Sequence, residues 1–185
     1  MAPLRERYGE PRPLRWEGEV SRQEFTLAGS SPERRHDVTF FVFDPNGRLA
    51  LIQKPSYPEG VWRPPGGGVR AGEEFELGVQ REAVEELGIH IVLERFLVST
   101  QATFRSADAV IDWRTHVFSA RTDELELDPV DTHEISAARW GTVDELAGPL
   151  RERLLATGRA LWRYRVALHD AALDALGLDE LEQLR

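Results

Sequence analysis

The stretch from Gly67 to Ile89, GGVRAGEEFELGVQREAVEELGI, constrains this chain more than any other part of it. Apolar residues recur at helical spacing from about Glu74 to Leu87, and Gly88 supplies a stop after the last turn. The spacing predicts one helix there. An α-helix advances about 100° per residue, so Arg81, Glu82, Glu85 and Glu86 share one arc of about 140°. Leu77, Ala83, Val84 and Leu87 fall on the opposite side, where a core is expected. Gly78 lies in the middle of the acidic arc, where the missing side chain leaves room for a ligand.

Glu82, Glu85 and Glu86 stand three and four residues apart, so their side chains are neighbours on the helix. Like charges at these spacings cost a helix roughly a few tenths of a kcal/mol per pair. A hard divalent cation resolves the conflict, because Mg²⁺ prefers carboxylate oxygens and keeps several waters. The plainer alternative is a solvated acidic face, which is what such a cluster usually is when it stands alone.

The surroundings read as a mixed sheet. Val38–Phe43 and Arg48–Lys54 are strand-like and flank the turn Asp44-Pro45-Asn46-Gly47, so a β-hairpin is expected. Ile89–Phe104 reads as one long or two short strands, Val110–Ala120 as another after a turn at Ser106–Asp108, and Ile135–Trp140 as a short one. A short helix is expected near Val143–Leu146 and an amphipathic helix from Leu150 to about Leu176. Alternating strands with few helices point to an α/β/α sandwich around a mixed β-sheet. The expected division is an N-terminal arm over residues 1–35, a central domain over 36–148 and a helical extension over 149–185. Within the arm, Leu14 to Leu27 partly alternates and reads as a strand, a hairpin or solvated chain.

Composition narrows the chemistry. There are no cysteines, which excludes disulfides, thiolate nucleophiles and cysteine-held zinc. The net charge of −9 argues against binding along a DNA or RNA backbone, so no nucleic acid polymer is expected as partner. It is compatible with a small phosphorylated ligand, because a bound cation inverts the local sign. Nearly all the basic charge is arginine, with Lys54 the only lysine. No apolar run approaches membrane-spanning length and no targeting segment is visible, so a cytoplasmic protein without membrane attachment is expected.

Gly67–Ile89 resembles the Nudix box, G-x5-E-x7-R-E-U-x-E-E-x-G-U with U a bulky aliphatic. Gly67, Glu73, Arg81, Glu82, Glu85, Glu86, Gly88 and Ile89 occupy its defined positions, and a small Ala83 fills the first aliphatic place. At ordinary residue frequencies such a match arises by chance roughly a few times per million. The resemblance, extended by the flanking strands over 36–148, implies a metal-dependent hydrolase that cleaves a pyrophosphate linkage. It would act on a nucleoside diphosphate joined to another moiety, or on a nucleoside triphosphate, by attack of water on phosphorus. Glu82 and Glu86 are implied as the principal ligands of Mg²⁺ or Mn²⁺, with Glu85 in support and a main-chain carbonyl near Gly66 as a further ligand. Arg81 and Glu73 resemble the pair that orients the box. Glu82, Glu86 and Glu134, the last in the loop before the final strand, are candidates for general base. Arg63, in the Trp62–Gly68 lead-in, is a candidate phosphate contact. Tyr57, Phe104 and Trp113 are candidates to stack on a base, with core packing as the alternative. The histidines show no metal spacing.

Marks of particular substrates are absent: Phe104-Arg105 stands where ADP-ribose-directed relatives tend to place proline, and no tyrosine lies between Tyr57 and Tyr164. Isopentenyl diphosphate isomerases share the fold but use a cysteine, which this chain lacks. A non-catalytic nucleotide sensor would typically have lost box carboxylates, and all are present. The leucines of the last helix serve to cap the core or to form a homodimer.

Overall fold

A computed structural model describes residues 1–29 and 36–177. The end of the expected arm, residues 30–35, and the end of the expected extension, residues 178–185, lie outside the described residues. In chain order come helix α1 (Ala2–Tyr8), strand β1 (Arg12–Glu19), helix α2 (Arg22–Gly29) and strands β2 (His36–Phe43), β3 (Leu49–Gln53) and β4 (Gly68–Val69). Helix α3 (Phe75–Leu87) is followed by β5 (Val92–Ser106), β6 (Ala109–Trp113), β7 (Thr115–Arg121) and β8 (Ala137–Gly141). Helix α4 (Val143–Glu145), a π-helical turn (Leu146–Leu150), α5 (Arg151–Ala156) and α6 (Ala160–Leu176) end the described chain.

The strands form one mixed sheet in the order β1-β5-β7-β2-β3-β8, with β4 on β2 and β6 on β5. Pairs β1/β5 and β2/β7 are parallel, and the others are antiparallel. Side chains alternate across a strand, so the near-continuous apolar runs of β2 and β3 feed two cores. Val38, Phe40, Val42, Ala50 and Ile52 face the layer of α3, with Val79, Ala83 and Leu87. Phe41, Phe43, Leu49 and Leu51 face the layer of α6, with Leu168, Ala172 and Leu176. Strands buried on both faces are what an α/β/α sandwich requires, and that is the architecture observed.

Several local expectations change. The β2–β3 hairpin closes at Asp44, whose carboxylate accepts from Asn46 N (3.0 Å) and Arg48 N (2.7 Å), but only Phe43 and Leu49 pair. Beyond them the strands part, because the lead-in to α3 is wedged between. Ile52 and Arg63 exchange backbone hydrogen bonds, and Phe40 N and Val38 N donate to Pro65 O and Gly67 O. Leu14–Leu27 is a strand and then a helix: β1 runs parallel to β5, from Arg12 opposite Val98 to Glu19 opposite Arg105. A capping box then starts α2, with Ser21 Oγ accepting from Glu24 N and Glu24 Oε2 accepting from Ser21 N. Val110–Ala120 splits at Arg114, with β6 folding back on β5 and β7 crossing to the sheet centre. The long tail helix breaks after Ala156, where Gly158 takes a φ of +68°. No helix among the described residues is long and apolar enough to cross a membrane.

Candidate active site

Helix α3 starts after Glu74 and ends at Gly88, which adopts the left-handed conformation and donates to Val84 O. Its buried stripe is Val79, Ala83 and Leu87, while Leu77, expected in the core, is 62 % exposed on the first turn. The site is organised by one arginine. Arg81 grips Glu73 with two parallel bonds, Nε to Oε1 (2.9 Å) and Nη2 to Oε2 (3.0 Å). Its Nη1 donates to both Glu82 Oε1 and Glu85 Oε2 at 2.9 Å, and Nη2 also reaches Gly68 O at 3.0 Å. A planar guanidinium is suited to such fixed, forked contacts. Its hydrogen bonds hold the Glu73 carboxyl down at a pKa of about 2. Two glycines make room for this arrangement. A Cβ at Gly67 would stand 1.9 Å from Glu82 Oε2, and one at Gly78 would stand 2.8 Å from Glu73 Oε2. The space at Gly78, expected to admit a ligand, is therefore taken by Glu73.

Glu86 is only 2 % exposed, and a buried carboxylate needs partners. Its Oε2 accepts from Gly66 N at 2.6 Å. Oε1 accepts no well-formed hydrogen bond and is balanced by charge, with Lys54 Nζ at 3.2 Å and Arg63 Nη2 at 3.6 Å. Lys54 also reaches Glu134 Oε2 at 2.6 Å. Burial disfavours the lysine's charge, but Glu86 and Glu134 more than restore it, and its pKa lies above the ordinary value. The loop that carries Glu134 is tied to the end of α3: Asp128 N donates to Leu87 O, and Val130 N and Asp131 N donate to Glu85 O. Asp131 Oδ1 in turn accepts from Glu134 N at 3.0 Å.

These groups line a cavity of about 670 Å³ that contains Glu82, Glu85, Glu86, Glu134, Asp131 and Lys54. Burial raises the proton affinity of Glu82, Glu86 and Glu85 nearby add to it, and the Arg81 bond opposes it. Among the described residues no three carboxylate or imidazole groups already stand together as a metal cage. The donor set nonetheless fits a small hard cation: clustered carboxylates, a buried oxygen on Glu86 balanced only by charge, and space above them. Such an ion needs one or two protein carboxylates and completes its shell with water and substrate.

The remaining expected residues divide. Arg63 is 3 % exposed and spends its donors inside the protein, on Tyr57 Oη (2.6 Å), Pro64 O (2.7 Å) and Gly66 O (3.4 Å). It stands behind Gly66 and Glu86 as a brace. Phe104 is 2 % exposed, its ring packed edgewise on Trp16 and Tyr164, so it forms core and offers no open face for stacking. Tyr57 and Trp113 are half-buried at the rim of a second cavity beside the cleft. Lys54 and Asp131 were not anticipated. The only signal was Lys54's singularity, one lysine in an arginine-rich chain.

The model of the family described as the NUDIX domain matches residues 33–161, well over half of the chain. An RNA pyrophosphohydrolase from Caulobacter vibrioides (strain NA1000 / CB15N) is 29 % identical over 132 residues, covering 62 % of this chain and 75 % of that protein. The NAD-capped RNA hydrolase NudC from Mycobacterium tuberculosis (strain ATCC 25177 / H37Ra) is 34 % identical over 113 residues, covering 61 % of this chain and 34 % of that one. The chain thus spans about a third of the length of that second relative. Among solved structures, a MutT protein from Bacillus halodurans is 26 % identical with a TM-score of 0.48, covering 60 % of this chain and 71 % of that one. The matched segment contains the whole of Gly67–Ile89 with each of its glutamates, and the chain belongs to the Nudix hydrolase family.

Proposed function

We propose that the chain hydrolyses a P–O–P bridge in a nucleotide-type compound, with Mg²⁺ or Mn²⁺ held by Glu82 and Glu86. Glu85 supports them, and the Gly66 carbonyl is a further ligand. The observation that carries this reading is the convergence of Glu82, Glu85, Glu86 and Glu134 on one cavity, braced by Arg81 and Arg63, with Lys54 bridging Glu86 and Glu134. When bound, the divalent ion supplies a more nucleophilic water and offsets phosphate charge.

The chain's own residues do the rest. Arg81, anchored on Glu73, fixes the rotamers of Glu82 and Glu85, so little reorganisation is needed as substrate enters. Glu82, Glu86 and Glu134 are the groups able to accept the proton from the attacking water. Lys54 offers its ammonium to phosphate oxygens at the mouth of the cavity and keeps Glu134 beside Glu86.

The net charge of −9 favours a small nucleotide over a polymer bound along its backbone. The RNA-directed names of the two relatives widen the question to RNA 5′ ends, where only a terminal phosphate chain needs to enter the cleft. The test is incubation with Mg²⁺ or Mn²⁺ and a panel of nucleoside triphosphates, nucleotide sugars, dinucleotides and a 5′-triphosphorylated RNA oligomer. Products are resolved by chromatography, with Glu86→Gln run alongside. Metal-dependent release of a nucleoside monophosphate and its partner phosphate is expected from one class, with loss in the variant. Tight nucleotide binding without any P–O–P cleavage overturns the reading and makes the protein a sensor.

A further inference from the structure

Beside the acidic cleft, and sharing Lys54 with it, lies a second cavity of about 270 Å³. Its inner wall is Gly66 and Arg63, directly behind Glu86. Its outer wall comes from outside the segment that matches the family: Leu27 and Ala28 of α2 on one side, Tyr164 and Arg165 of α6 on the other. The two helices are joined across it by Glu24, which accepts from Leu161 N at 2.9 Å.

Two arginines meet in this cavity, and they differ. Arg63 is spent on internal acceptors. Arg165 donates Nη1 to Thr39 Oγ1 at 3.0 Å, and among the described residues its Nε and Nη2 have no hydrogen-bond partner. One edge of a planar fork thus remains for a ligand with two adjacent acceptors. Both a phosphate and a base edge meet that requirement. The walls decide between them. Tyr57 and Trp113, half-buried at the rim, and Leu161 supply flat and aliphatic surface, and Asp37 sets one carboxylate among the cations of Lys54, Arg63 and Arg165. A base uses both the fork and the rings, whereas a phosphate would use the fork alone and leave Tyr57 and Trp113 uncovered. The volume lies below the ~300–1,000 Å³ of a drug-sized site and matches a single ring system.

We propose that this cavity receives the nucleobase of the substrate and that Arg165 selects guanine through its O6 and N7 acceptors. Adenine presents an amino donor where guanine has O6, and would face the guanidinium donor to donor. The proposal rests on the hydrolase reading for its place in turnover, but its binding claim stands apart from it.

Calorimetry with guanosine and adenosine 5′-monophosphate, neither of which contains a P–O–P bridge, tests it in the intact chain, in Arg165→Lys and in Arg165→Met. The parent is expected to bind the guanine nucleotide about tenfold or more tightly, and both variants to bring the ratio within about threefold. Arg165→Lys keeps the charge and stem while losing the fork, and the parent's own ratio tests the proposal without any variant. Equal affinities in the parent overturn it. So does a variant that weakens both nucleotides and inorganic phosphate alike, which would make Arg165 a phosphate clamp. Guanine-selective binding without cleavage of any panel compound would leave this inference standing and remove the hydrolase reading. Cleavage indifferent to the base, with no binding preference, would do the reverse.

Discussion

Helices α3 and α6 cover opposite faces of the same sheet, and they are held there by different physics. Along α6, Trp162, Tyr164, Val166, Leu168, Ala172 and Leu176 are all buried, and the Tyr164 hydroxyl is tied to Thr115 Oγ1 at 2.8 Å. The stripe of α3 is narrower: Val79, Ala83 and Leu87 are buried apolar residues, and the next buried position, Glu86, is a carboxylate. Its remaining glutamates stand at spacings where like charges repel. What fixes α3 is Arg81, binding Glu73, Glu82, Glu85 and the Gly68 carbonyl at once. Both faces bury apolar residues, but the α3 face also holds carboxylates close together against their own repulsion. Activity and stability are therefore expected to separate by face.

The largest effects sharpen that separation. Glu86→Gln should lower kcat/KM by about 10²–10⁴, while urea unfolding shows a native-like, cooperative transition. Leu168→Ala, at a position with 0 % exposure, should do the opposite. It is expected to cost about 2–5 kcal/mol in urea unfolding and leave kcat/KM of the folded fraction near the parent's. If kcat/KM falls with stability in Leu168→Ala under folding conditions, the two faces are coupled and the comparison breaks. Next in size is Arg81→Lys, which keeps the charge and loses the fork. Groups that orient metal-binding carboxylates typically carry about 10–100-fold in metal affinity or activity. A Mn²⁺ titration of turnover should show that loss, and an unchanged titration would sink the positioning role.

The smallest effect belongs to the α6 side. Glu24 caps its own helix and also the start of α6, so Glu24→Ala should cost about 1 kcal/mol of stability. Burial opposes its ionisation, but the Leu161 and Ser21 hydrogen bonds outweigh this and hold its pKa below the usual 4.5. With the folded value depressed, the contribution is present above about pH 4.5 and fades as pH falls through the folded pKa. Stability curves of the parent and Glu24→Gln should therefore converge on acidification. A gap that stays constant from neutral to acid pH would assign the effect to packing alone.

What was legible in the sequence was what is local. The helix of Glu74–Leu87, its stop at Gly88 and the acidic arc follow from spacing within one element. The neighbourhood of Lys54, Glu86 and Glu134 does not. It depends on the β3/β8 register, which pairs Gln53 with Ala137 and lets Ser136 N donate to Gln53 O, so the residues just beyond, 54 and 134, meet over Glu86. Register is a tertiary choice that single-strand patterns leave open. Other signals were present but outweighed. Ser21-Arg22-Gln23-Glu24 is a capping-box sequence, masked by the partial alternation around it. Gly158 inside an amphipathic run marked the break between α5 and α6. The exposure of Leu77 shows a limit of the helical wheel, which ranks directions around an axis but not how far the core extends along it.

The parallel pairing of β1 with β5 has a consequence for biosynthesis. Residues 12–19 emerge from the ribosome before their partners at 98–105, and the cap from Glu24 to Leu161 waits a further stretch of chain. At roughly 5–20 residues per second, the 137 positions between Glu24 and Leu161 take on the order of ten seconds to synthesise. Until residue 105 has been made, the first strand lacks its partner. Its alternation suits the wait: Leu14 and Trp16 are the side chains later covered, and Arg15, Glu17 and Glu19 keep the other face charged. Charges so placed discourage an unpaired strand from joining another nascent chain. The strand is thus made well before the chain it pairs with.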